Sequence, residues 1–381
     1  LIFVGFLFEF SLNEIKWLVI IGFNQVLVGI ILYLRSNLSA LLLFKRDGFL
    51  SVIDRLILIL FCGYFIWVKT NHSFISIDFF ILSQTFAYLL TISIGLFSLI
   101  KFSKIPKIQW DKLFFALIIK KSIPYAILIF LMSVYYYSDV IMVEKIRNNI
   151  EVANYAYGYR FFMAFNMLGF LFAGLLLPIF SKLIAEKRSV IPVSWLSFKL
   201  IYFFAFVIFI SIWTYKSEIL NWRYGITKSV LEHSSDTFGW LMVSFIAISC
   251  NYIFGTLLTA NGSLKSLNIL AVFGIIINIF LNLFLIPKSG SVGAAFASAF
   301  TQFFILIVQF ILCFKYFKFR YHIFSIVQVL SFTLLCIFGA YNLNVLSSIN
   351  WNYKILITVC MGFFIGLLLK LINLKEFYQL I

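Results

Sequence analysis

Apolar blocks of about 20 residues, each long enough to cross roughly 30 Å of hydrocarbon as a helix, recur along the whole chain. They fall near residues 12–34, 50–69, 76–100, 122–143, 152–183, 194–215, 236–259, 265–286, 291–316, 322–342 and 352–373. A membrane β-barrel would show short alternating segments instead, so backbone hydrogen bonds in lipid must close within helices. Only 12% of the 381 residues are charged, about half the share of a soluble domain, and mean hydropathy is +1.05. The chain reads as an all-α membrane protein, a polytopic helical bundle of about eleven full transmembrane helices.

The net charge of +16 reflects topology rather than nucleic-acid binding, because basic residues gather in alternate links. One set includes Lys45 and Arg46, the run from Lys101 to Lys121, then Lys187 and Arg188, Lys265, Lys315 and Lys318. The opposite set carries about half as many, so the first is expected to face the cytoplasm, with the C-terminus on the same side. The basic segment 101–121 is expected to be an inter-lobe link. It separates a lobe over 1–100 from one over 122–316, and 317–381 supplies two additional helices. The five cysteines lie inside apolar blocks without metal spacing, and His72, His233 and His322 fall in or beside links. The opening LIFVGFLFEF is too short to span and lacks a basic leader region. It is expected to be a helix remnant whose start lies upstream, in an N-terminally truncated fragment.

Residues 122–184 carry the main interruptions: Tyr135, Tyr136, Tyr137 and Asp139, then Arg160, then Pro178. Ionisable groups inside a span are costly and mark candidate sites. Asp139 lies about 25 Å of helical rise beyond Ser122, near the outer interface, with Tyr135 and Tyr136 on its face. Arg160 sits roughly 12 Å below that surface, Tyr157 shares its face, and Asn154 lies about 120° round the helix. One reading is a cavity in which Arg160 attracts an anion and tyrosines offer hydroxyls or sugar-stacking rings. The other is an Arg160–Asp139 structural pair with the tyrosines as an interfacial belt. Asp139, placed close to water, fits the structural role better, and Arg160 fits the cavity. Asn24 and Gln25 lie at mid-depth in the first block. Asn278 and Asn282, one turn apart, either line a cavity or bond across helices. Small residues from Gly293 to Ala299 suit close helix packing.

Catalytic patterns are absent: there is no mid-membrane histidine, no HExxH, no GxSxG and no carboxylate pair within one helix. No outward link exceeds about 20 residues, which leaves little room for a catalytic domain. Transport without a cofactor is the better class.

The run SIPYAILIFLMSVYYYSDVIMV, followed by VANYAYGYRF and LLLPIFSKL, resembles the start of the second lobe in polysaccharide-export and O-antigen flippases. The later LLTANGSLKS and INIFLNLFLIPKSGSVGAAFASAFTQ strengthen the resemblance to that branch of the multidrug/oligosaccharidyl-lipid/polysaccharide exporter superfamily. It implies a two-lobed exporter fold around a cavity that opens alternately to either side of a bacterial cytoplasmic (inner) membrane. On that template two helices and most of a third precede Leu1. The implied substrate is an oligosaccharide on undecaprenyl pyrophosphate, an O-antigen or capsule repeat unit, with Arg160 suited to its phosphates. The implied partners are membrane lipids, a coupling cation (H+ or Na+) and other polysaccharide-assembly proteins. The sequence presents no clear coupling carboxylate. Two alternatives stay open: a cation-coupled multidrug antiporter, which would favour buried acids over buried bases, and a membrane glycan polymerase or acyltransferase.

Overall fold

The computed structural model describes residues 12–41, 43–68, 76–102, 111–226, 228–319, 323–345 and 350–371. The remnant expected over 1–10, together with His72, His322, Lys104 and Lys107, lies outside the described residues. Ten α-helices account for nearly all of what is described: α1 (Leu12–Ala40), α2 (Phe44–Val68), α3 (Ile77–Ile100), α4 (Lys112–Ile146), α5 (Asn149–Ala185), α6 (Ile191–Tyr224), α7 (Lys228–Ala260), α8 (Leu264–Phe317), α9 (Ile323–Val345) and α10 (Trp351–Leu368). All ten are long and apolar enough to cross a membrane. The protein is a multi-pass membrane protein.

The 54 residues of α8 would measure about 81 Å if straight, far more than one crossing requires. The helix breaks at Gly290, whose φ of 55° and ψ of −132° are non-helical. A glycine takes that conformation at little steric cost. The chain then doubles back, since a side chain at Gly293 would meet the Leu285 carbonyl at 2.6 Å and one at Gly274 would meet Ile305 at 2.9 Å. The two halves of α8 thus serve as the two separate spans expected near 265–286 and 291–316.

The segment expected as a link over 101–121 is helical from Lys112 onward. Asp111 caps the start of α4, its Oδ1 accepting from the Leu113 and Phe114 N–H groups at 2.9 and 3.2 Å, which satisfies two of the orphan donors of a helix end. The 35 residues of α4 rise about 52 Å, so the basic first turns extend past the hydrocarbon. Pro178 lies inside α5 without ending it.

Two compact units divide the chain, residues 1–110 and 111–381. In the first, a small core of Leu34, Leu38 and Leu50 joins α1 to α2, with Ile92, Ile94 and Leu99 of α3 packed against it. In the second, α6 and α7 are buried round most of their circumference, whereas α4 buries only Tyr135, Asp139 and Val143. Those three stand four residues apart, one narrow stripe on one face. A glycine at 158 lets α5 press on the Phe238 backbone of α7. Phe203 and Phe206 of α6 meet Phe332 of α9 to hold the last two helices.

Candidate functional site

The middle residue of the α4 stripe is a carboxylate. Asp139 is only 2% exposed, and four side chains from two other helices donate to it. On Oδ1 it accepts from Asn282 Nδ2 at 2.7 Å and Asn278 Nδ2 at 3.1 Å. On Oδ2 it accepts from Tyr155 OH at 3.1 Å and from Ser298 Oγ. Ser138 donates to Asn278 Oδ1 at 3.1 Å, and the Tyr135 hydroxyl donates to the Ser298 carbonyl at 3.3 Å. Asn278 and Asn282 precede the break in α8 and Ser298 follows it, so the hairpin at Gly290 is what brings both to one carboxylate.

All four partners are neutral. A buried carboxylate without a compensating charge is costly unless it takes up a proton or a cation. The Oδ1 atom of Asn282 is buried with no partner. Together with the carboxylate it offers hard oxygen ligands of the kind small cations take.

This arrangement corrects the expected setting of Asp139. It lies seven residues before the end of α4, about 10 Å of rise, yet α5 and both halves of α8 enclose it. Arg160 does not pair with it. Arg160 is exposed, eleven residues into α5, with no hydrogen bond or ion pair to a described residue. Tyr157 is half-buried and its ring lies 4.8 Å from that of Tyr224. Asn154 is buried and accepts from Ser234 Oγ at 3.2 Å. Tyr136 is half-buried with its ring 5.9 Å from Tyr135. In the first unit Asn24 is buried, accepting from Thr85 Oγ1 at 2.8 Å, while Gln25 is exposed. Asn278 and Asn282 bond across helices. The structure therefore joins Asp139, Asn278 and Asn282, adds Tyr155 and Ser298, and leaves Arg160 and Tyr157 on a different part of α5.

A second polar cluster grips the break in α8. Arg147, in the short α4–α5 link, donates to the carbonyls of Ile286 and Pro287 at 3.1 and 2.6 Å. Glu151 Oε2 accepts from the Ser291 N–H at 2.8 Å and lies 2.9 Å from His233 Nε2. A side chain at Gly290 would collide with the Glu151 carboxylate. Arg147 thus satisfies carbonyls freed at the end of one half-helix, and Glu151 caps the start of the other. None of this was readable from spacing. Ser298 sits in a run of small residues that reads as packing, Tyr155 carries no signal of its own, and Glu151 and His233 are 82 residues apart.

These features define a helical membrane protein with a buried, neutrally ringed carboxylate beside a broken helix. A solved structure described as "Lipid II flippase MurJ, inward closed conformation" superposes with a TM-score of 0.70 at 18% identity, over 96% of this chain and 74% of that one. At that identity the likeness is one of fold. No protein-family model matches the chain, and no curated protein matches its sequence.

Proposed function

We propose that the protein is a flippase that carries an undecaprenyl-pyrophosphate-linked oligosaccharide, an O-antigen or capsule repeat unit, across the bacterial cytoplasmic membrane by alternating access. One observation carries this reading. Arg160 presents a guanidinium with no partner among the described residues, about 16 Å along a membrane-length helix, a position that bare hydrocarbon tolerates poorly. A water-filled path that passes phosphates gives it a partner, because a guanidinium binds phosphate oxygens through paired hydrogen bonds. The fold supports the same class, since the MurJ structure is named for flipping lipid II.

Asp139 supplies the coupling carboxylate that the sequence did not reveal. A proton or Na+ taken up there would neutralise the carboxylate, and the Asn282 amide, whose Oδ1 is buried without a partner among the described residues, could turn that oxygen toward Na+ as one of its ligands. Binding and release of that ion bias one conformation over another by the difference in its affinity for the two.

The burial of Asp139 also favours a second reading, a cation-coupled multidrug antiporter, for which buried acids are the expected signature. One experiment separates the two. Sealed vesicles containing the full-length chain carry a short pyrophosphate-linked oligosaccharide on one leaflet, and a non-permeant reagent reports its arrival on the other. Protein-dependent movement, reduced by Arg160→Ala, is the expected result. Absence of movement together with gradient-driven uptake of a cationic dye would replace the flippase with the antiporter.

A further inference from the structure

The second unit holds a larger space close to the Asp139 cluster. A cavity of about 250 Å³ lies between α4, α5, α7 and both halves of α8. It ends against Tyr135 and Tyr136, and the same two residues wall a space of about 10 Å³ that reaches Asp139 and Ser298. The inner space is about the size of one water molecule's probe sphere. The tyrosines therefore separate the cavity from the carboxylate, and the passage between them is shut in this conformation.

Most of the cavity wall is apolar, but one seam is not. On α7, Asn251, Gly255 and Thr259 stand four residues apart and share a face. Opposite them on α8 are Gln302 and Gln309, on the face that also carries Ser298 one turn away. Asn251 Nδ2 donates to Gln302 Oε1 at 2.9 Å and to the Gln302 carbonyl at 3.2 Å. The Asn251 Oδ1 and Gln309 Oε1 atoms are buried without any partner. Amides placed only to glue helices together would satisfy one another. Two orphan oxygens in a row are instead acceptors awaiting a water or a cation.

The seam also has direction. From Ser298 to Gln309 the second half of α8 rises about 16 Å, roughly half the hydrocarbon thickness. It leads away from the Glu151 end of the bundle and toward the end that bears the α7–α8 link and, in the first turn of α8, Lys265. A polar line of this kind inside apolar helices is expected to face a water-accessible path.

We infer that this seam is the route by which the cation at Asp139 exchanges with the Lys265 face of the membrane, with Tyr135 and Tyr136 as its inner gate. The inference rests on the reading of Asp139 as the cation-binding carboxylate. Gln309 and Asn251 are way-stations that replace part of the ion's water shell, and the apolar remainder of the wall keeps the passage narrow.

The test follows the Asp139 carboxylate band by rapid-mixing infrared spectroscopy of the full-length chain in lipid nanodiscs. The band is assigned by its loss in Asp139→Asn. A jump in pH reports a proton, and a jump in Na+ at fixed pH reports Na+. Gly255→Leu fills the cavity beside the Gln309 amide. Gln309→Met keeps the volume but removes an acceptor that has no partner, so the fold retains its hydrogen bonds. Both are expected to slow the response by about tenfold or more with the equilibrium midpoint unchanged, as a constricted or dewetted path would. Tyr136→Ala is expected to speed it, and Gly255→Ala to leave it as in the wild type. A wild-type rate in both Gly255→Leu and Gln309→Met overturns the route while the cation site stands. A wild-type band that responds to neither jump overturns the cation site and the route with it.

Discussion

Asp139 and Arg160 lie on successive helices of one hairpin, and both are ionisable groups within membrane-length segments. Their surroundings are opposite. Asp139 is closed in by four donors from α5 and α8, whereas Arg160 is exposed on α5 with no partner among the described residues. A group held by many neighbours contributes to the fold as well as to any ion it binds, so the two effects are entangled. A group held by none can change function while leaving stability alone. The contrast teaches where to look for coupling and where to look for substrate.

The largest effect is expected at the enclosed end. Asp139→Leu strands the buried Asn278, Tyr155 and Ser298 donors and leaves Asn282 only its bond to Asn278; each stranded donor is worth about 1–3 kcal/mol, so the change should lower the melting temperature and abolish transport. Asp139→Asn keeps the shape but sets an amide N–H against donors. It should cost about 1–3 kcal/mol and remove all dependence of transport on the ion gradient, read in vesicles with and without an imposed gradient. Full gradient-driven transport by Asp139→Asn would erase the distinction drawn above. Arg160→Ala comes next and should act on one readout alone. Transport of the lipid-linked substrate falls about tenfold, the scale of one charge-assisted phosphate contact, while the melting curve matches the wild type and Arg160→Lys retains part of the activity.

The clamp on α8 should behave like a weaker version of the enclosed site. Glu151→Ala leaves the Ser291 N–H without its acceptor and should cost about 1–3 kcal/mol. Gly290→Ala, at a φ of 55°, adds backbone strain of order 1–3 kcal/mol to the collision with Glu151. Both should lower the melting temperature and weaken cation binding, since Asn282 and Ser298 lie on either side of the break. The smallest effect belongs to the first unit. Asn24→Ala loses the interhelical bonds to Thr85 and to the Ile81 carbonyl, each worth about 0.6 kcal/mol in lipid, and transport should be nearly normal.

Membrane class and helix positions were legible in the residues because hydrocarbon admits so few backbone solutions. The period of the apolar blocks placed the spans, and even the split of α8 was visible as two segments around Pro287 and Gly290. Part of the site was visible too. Asp139, Asn278 and Asn282 stood out as polar groups in apolar runs, and the spacing of the two asparagines put them on one face. Their convergence was not visible. Helical rise gives depth along an axis, and on depth alone Asp139 looked close to water. Whether a residue at that depth meets lipid, water or another helix depends on rotation about the axis and on which helix packs against it.

The sequence by itself determined that this chain is a bundle of membrane-crossing helices, where the apolar part of each lies, and which few polar groups they carry; several helices run six to ten residues beyond that apolar part. Tertiary structure alone decided that Asn278, Asn282 and Ser298, between 139 and 159 positions away in the chain, close on Asp139 while Arg160 is left exposed. The reason is physical. Hydrophobicity and hydrogen bonding within a helix are local and leave a periodic trace. Side-chain convergence across helices is set by the reversal at Gly290, the clamp of Arg147 and Glu151, and the close approach at Gly158, none of which has a period to read.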